Sequence, residues 1–331
     1  MHGHRVSLSP VGCKAKPIDQ QKATLFHMRC AGFLCFIFLC AGCTLNRSLV
    51  TTGAVGNYCE PALTYRYNER YRPLPALPTD TSLTNHLSAH DLLLANAAGI
   101  IPLLQALARL PQRASLQNQL DRVIIQQQIQ QRLLQVSTEI ASLAAELDCE
   151  GERADQLGTF LDQQDQKRIR NLTLLSVVIG AATTVATSLI QADGVDKTVG
   201  IGGGLVSAGL GGAAAFSSNK AVPFLHERNL LADIWAPTDQ SATYSPFIWY
   251  VLNEKGFSNT KQTSIRANIR QRWQRYVVPN TTAEQQQLFF GKGGRYQADD
   301  LHTRANMLNQ LQASVRSINQ DLQSLLNYVA H

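Results

Sequence analysis

No proline lies between Pro111 and Pro223, so nothing forces a helix to end across that whole stretch. Charge is scarce. Only 16% of the 331 residues are charged, and two 19-residue runs, 172–190 and 199–217, carry none. Cysteine does not recur after Cys149, and five of the seven cysteines lie at or before Cys43. Catalytic motifs are missing as well. No Gly-Lys-Ser/Thr follows the glycines of 199–217 and no strand pattern leads into Gly200, which excludes a phosphate-cradling loop. No nucleophile elbow occurs. His86 and His90 stand four apart beside Asp91, a spacing that can put two imidazoles on one metal. Leu87 occupies the place where a zinc-protease motif needs Glu, and no third histidine is near, so a structural role is preferred. The expectation is a protein without catalytic residues, cofactor or metal. The formal charge is +6, but Arg5, Lys14, Lys16 and Lys22 against Asp19 supply half of it within residues 1–27. A nucleic-acid partner is therefore not expected.

What is present begins with an export signal. Met28-Arg29 precedes CAGFLCFIFLCAGC, a short basic start and a compact apolar run ending in small residues. The run is short for a spanning helix. Leu39-Cys40-Ala41-Gly42-Cys43 resembles the lipobox of bacterial lipoproteins. That resemblance implies cleavage before Cys43, acylation of Cys43, and, with Thr44 next, an outer-membrane address facing the periplasm. The alternatives are an ordinary secretory signal or an uncleaved anchor. Residues 1–27 then read as an extension ahead of the true start, and 28–42 as the signal peptide. With Cys43 lipidated, Cys59 and Cys149 remain. They pair in an oxidising compartment or stay as two separate buried thiols.

Residues 43–81 hold three prolines in RYRPLPALPTDTS and read as an extended tether. From 82 to 171 the pattern is helical. A first helix near Ser82 or Thr84 is disturbed at Pro102. A seam then follows through Ile129, Leu133, Val136, Ile140, Leu143, Leu147, Ala154, Leu157 and Leu161, broken by Glu150, with a possible hinge at Gly151. Residues 219–331 form a helical region that packs back on 82–171. Within it FLHERNLLADIW is expected as a short helix, Ser245-Pro246 as a helix start, Thr281–Glu284 as a capping box and FGKGGRY as a loop. The basic stretch 260–278 reads as a solvated helix with an aromatic in the core, in preference to a surface that meets anionic headgroups. A second seam runs through Leu301, Ala305, Leu308, Leu311, Val315, Ile318, Leu322, Leu325 and Val329.

Between these lies 172–218, an apolar helical hairpin. Each uncharged run is about 28 Å as helix, near the hydrocarbon thickness of a bilayer. Lys167, Arg168 and Arg170 precede the first run and Lys220 follows the second, so both basic ends share a side. Gly200, Gly204, Ala208 and Gly212 repeat every four residues, as do Gly203, Ser207, Gly211 and Ala215. Such small-xxx-small rows let two backbones touch. They resemble the glycine-zipper segments of some bacterial envelope proteins. The expected contact has Gly204 and Gly211 near its middle.

The fold class expected is all-α: long coiled-coil-like helices packed as a bundle, with a central Gly-rich hairpin. Two functions follow. One is a lipid-anchored envelope protein whose helical body binds a protein partner or itself. The other is a membrane-perforating protein, because long helices flanking an apolar hairpin resemble α-pore-forming toxins in architecture. The hairpin is either embedded in lipid or buried as a dry core.

Overall fold

The computed structural model describes residues 58–61, 71–77, 81–111, 115–189, 195–215 and 220–330. Cys43, the signal peptide and residues 1–27 lie outside the described residues, as does most of the 43–81 tether. The described chain is a helical bundle with one two-stranded ribbon.

The N-terminal helices are α1 (Thr81–Thr84), α2 (Ala89–Ala97) and α3 (Ile101–Arg109). A single helix disturbed at Pro102 is thus corrected to three. Ser88 caps α2, its hydroxyl accepting from Asp91 N at 3.0 Å. Gly99, at φ +70°, ends it, with Gly99 N donating to Asn96 O and Ile100 N to Ala95 O. Those two bonds form a Schellman stop. The chain then turns by 116° into α3. Pro102 stands in the first turn of α3, where its missing N–H is harmless. The turn at Gly99, not the proline, is the break.

Helix α4 (Leu116–Leu189) has 74 residues, about 110 Å of unbroken helix. Its expected seam is inward: Ile129, Leu133, Val136, Ile140, Leu147, Ala154 and Leu161 are buried. Glu150 does not break the seam. It is buried on it, its carboxylate 2.9 Å from Arg153 Nη2. Gly151 is not a hinge either. The helix continues through it, and a Cβ there would stand 2.7 Å from Asn309 Oδ1 of the facing helix.

That facing helix is α10 (Ala298–Ala330), antiparallel to α4. Its first turns meet Asp155 and Asp162 through His302, and its middle meets Ala144 O through Gln312 Nε2 at 3.3 Å. Leu301, Leu308, Leu311, Val315, Ile318, Leu322 and Leu325 fill the shared core. With 33 residues, about 50 Å, α10 covers less than half of α4. Beyond roughly residue 165, α4 packs instead on α5 (Val195–Ala215).

Small elements close the body: β1 (Val222–Leu225), α6 (Ala232–Trp235), α7 (Pro246–Asn253), α8 (Ile265–Arg272) continued by a π turn Trp273–Val277, α9 (Ala283–Phe290) and β2 (Gly293–Tyr296). Ser245 caps α7 and Trp273 is buried under the basic helix. Three expectations are corrected. The capping box is Thr282 with Gln285, one residue later than expected. FGKGGRY is not a loop but holds β2, and the segment after Pro223 is β1 rather than the start of a helix. The strands pair antiparallel, Val222 opposite Tyr296 and Leu225 opposite Gly293. Phe224 and Tyr296 point into the core, so period-two burial overrides helix propensity here.

Candidate functional site

The two arms of the hairpin meet along a narrow seam. Gly203 lies against Thr183, Gly200 against Thr187 and Gly180 against Ser207. The Ser207 hydroxyl donates to Ser176 O at 2.8 Å and ties the arms together. Ala214 is buried at the foot of α5.

The four-spaced rows are not this seam. A Cβ built on Gly204, Gly211 or Gly212 meets nothing within 4 Å, and Ala208 is exposed. The observed contact uses Gly200, Gly203, Ser207 and Ala214, a mixture of three- and four-residue steps. A step of four turns about 40° too far and a step of three about 60° too little, so only the mixture stays on one side. The expectation that Gly204 and Gly211 sit mid-contact is therefore corrected.

The outer faces of the hairpin are apolar and open. Leu174, Leu175, Val177, Val178 and Val185 on α4, and Ile201, Leu205 and Val206 on α5, are each more than two-fifths exposed. These side chains are not buried within the bundle of this chain. Among the described residues, α4 is the helix long and apolar enough to cross a membrane. Its hydroxyls fit such a medium. Ser176, Thr183, Thr184, Thr187 and Ser188 each donate to a carbonyl three or four residues earlier. They need no water to be satisfied.

The body offers less chemistry. Cys59 and Cys149 are disulfide-bonded, Cα–Cα 5.5 Å, fastening residues 58–61 to α4. A cleft of about 650 Å³ beside the bond is lined by Arg132, Glu139, Glu146, Arg228 and Leu134 among others. Its charges are matched: Arg132 Nη1 to Glu139 at 2.7 Å, Arg228 Nε to Glu146 at 2.8 Å. Burial raises the Glu146 carboxyl above its ordinary value, against the pull of Arg228. His86 and His90 do not share a helix face, because α1 ends before His86 and α2 begins after it. His90 Nε2 instead meets Asp321 Oδ1 at 3.1 Å, and no cluster of metal-ligating side chains exists among the described residues.

A buried polar knot was not foreseen. Arg304 is fully buried and donates to Phe289 O at 3.0 Å and to Asn229 Oδ1. Asn229 Nδ2 donates to Phe289 O and Gly291 O. Tyr296 O–H donates to Leu288 O, and its oxygen lies 3.2 Å from His226 Nε2. Burial, then the charges of Arg304 and Arg153, push His226 down to about 3. Burial lifts Tyr296 to about 12. These bonds tie β2 to α9 through Leu288 O, and α9 to α10 through Arg304.

No protein-family model, no curated protein sequence and no solved structure matches the chain.

Proposed function

We propose that this is a non-enzymatic cell-envelope lipoprotein, tethered through acylated Cys43, whose helical body binds protein while its hairpin lies in a bilayer. The observation that carries the reading is the open apolar surface at Leu174, Val178, Leu205 and their neighbours. Each such side chain favours a membrane by roughly 0.3–0.6 kcal/mol, so eight give a few kcal/mol before the glycines and hydroxyls are counted. That is a modest anchor. A second attachment through lipid on Cys43 complements it, since stable membrane residence takes two such signals.

The perforating alternative draws support from the outward glycines. Gly202, Gly204, Gly209, Gly211 and Gly212 meet nothing within this chain, which leaves room for further hairpins to approach. Membranes from cells making the chain with Cys43 or with Cys43→Ala separate the readings. Because uncleaved Cys43→Ala keeps its apolar signal run, L174N/V178N/L205N is added to it, and carbonate resistance that falls on this addition is expected for an embedded hairpin. Complete release of Cys43→Ala itself would sink the embedded hairpin and leave the lipid as sole anchor. Dye leakage from vesicles would favour perforation.

A further inference from the structure

The hairpin leaves the body through a ring of positive charge. Lys167, Arg168 and Arg170 occupy the last turn of α4 before its uncharged run, and all three are exposed. Their positions spread around the helix, because 100° separates successive residues. Across from them Lys220 Nζ lies 3.3 Å from Gln164 Oε1. Arg295, exposed on β2, donates through Nη2 to Ala221 O, the residue next to Lys220. Lys167, Arg168 and Arg170 thus stand where the apolar surface begins, with Lys220 and Arg295 behind them at the level of Gln164.

The nearby acids do not cancel them. Asp162 and Asp165 come earlier on α4, on the body side of Lys167, Arg168 and Arg170 and beside Gln164. Asp162 is engaged by His302 Nε2 at 3.0 Å, and one oxygen of Asp165 is buried. In the sequence, Asp193, Asp196 and Lys197 between the two uncharged runs sum to −1, whereas the residues that precede the first run are cationic.

We infer that this ring binds the phosphates of anionic lipids in the leaflet through which the hairpin enters. The inference rests on the membrane reading above. Its geometry is that of snorkelling side chains, with stems along the apolar border and charges at the headgroups. It also fixes an orientation, with the body against the anionic face and the tip inserted away from it. Lysine and arginine at an anionic surface each strengthen binding about fivefold at physiological ionic strength.

The test is flotation of the full chain with vesicles of phosphatidylcholine alone or mixed with phosphatidylglycerol. Three proteins are compared: the unaltered chain, K167Q/R168Q/R170Q and L174N/V178N/L205N. The unaltered chain is expected to prefer the anionic vesicles, and rising salt should erase the preference. The charge variant should lose on the order of a hundredfold in anionic-vesicle affinity and keep its weaker binding to neutral vesicles. Its melting curve should match the unaltered protein, because the three side chains are exposed. Equal binding of the unaltered chain to both vesicles, or an undiminished preference in the charge variant, overturns the ring and leaves the hairpin reading standing. Anionic preference that survives in the polar-hairpin variant keeps the ring and overturns insertion. Binding of the unaltered chain to neither vesicle overturns both.

Discussion

Gly203 of α5 lies so close to Thr183 of α4 that no methyl group fits between them. One residue further on, Gly204 faces open space. Two adjacent glycines in one apolar run thus have opposite duties.

Substitution should separate them. Gly203→Leu forces the arms apart and should destabilise the hairpin by about 1–3 kcal/mol, as overpacking does. Gly203→Ala meets the same Thr183 side chain and should also destabilise. Gly204→Ala should stabilise by up to about 1 kcal/mol through helix propensity, and Gly204→Leu should be tolerated in plain buffer. Limited proteolysis at the hairpin with a urea titration checks all four. Equal behaviour of the Gly203 and Gly204 series would remove the seam as described.

The long seams were legible because they obey a simple period. Ile129 to Leu161 and Leu301 to Leu325 run in steps of three and four among polar neighbours, and nearly all of their seam residues are buried as that spacing requires. The hairpin was legible as helix and not in its facing. Nearly every residue from Val199 to Ala215 is small or apolar, so composition does not mark which side meets Thr183. The ribbon was hidden by its brevity: each strand has four residues, with Pro223 in one and two glycines in the other. The His302 bridge joins partners 147 and 140 residues away in sequence. Its one sequence trace is Gly158 in mid-helix, where a Cβ would come 2.9 Å from the imidazole.

The disulfide closes a loop across a sequence separation of 90. Opening such a loop in the unfolded chain gives an expected loss of about 2–5 kcal/mol for Cys59→Ser/Cys149→Ser. Denaturation midpoints with and without reductant measure it. The unaltered protein should fall to the level of the variant on reduction, and the variant should not respond. Alkylation of denatured, non-reduced periplasmic protein should find both thiols blocked, and two reactive cysteines would contradict the bond.

Cys43→Ala should abolish incorporation of labelled fatty acid and leave a precursor of unchanged size. The proposed lipobox puts cleavage before Cys43 and not before Cys40, so Cys40 should not rescue labelling. Labelling that persists in Cys43→Ala assigns the anchor elsewhere.

Two histidines are expected to make the stability of the body depend on pH. His226 has a folded value of about 3 against an ordinary 6.5, pushed down by burial first and then by Arg304 and Arg153. The unfolded chain therefore binds the extra proton first, and stability falls as pH drops from about 6.5 toward 3. A shift of that size corresponds to a loss of about 4–5 kcal/mol at the acid end. His302 runs the other way. Burial alone would lower it, but its bonds to Asp155 and Asp162 outweigh that and raise it above 6.5. Its contribution is complete below the unfolded value and fades as pH rises through the folded one. Stability should thus peak on the weakly acid side of neutrality. His226→Gln should flatten the acid limb, and His302→Gln should flatten the decline above the peak. The measurement is a set of urea titrations across the pH range for the three proteins. Subtracting each variant from the parent isolates these two groups from Glu146 and Asp321, whose raised carboxyls oppose His226 and act in the same direction as His302. An acid limb as steep in His226→Gln as in the parent would show that another buried base governs acid unfolding.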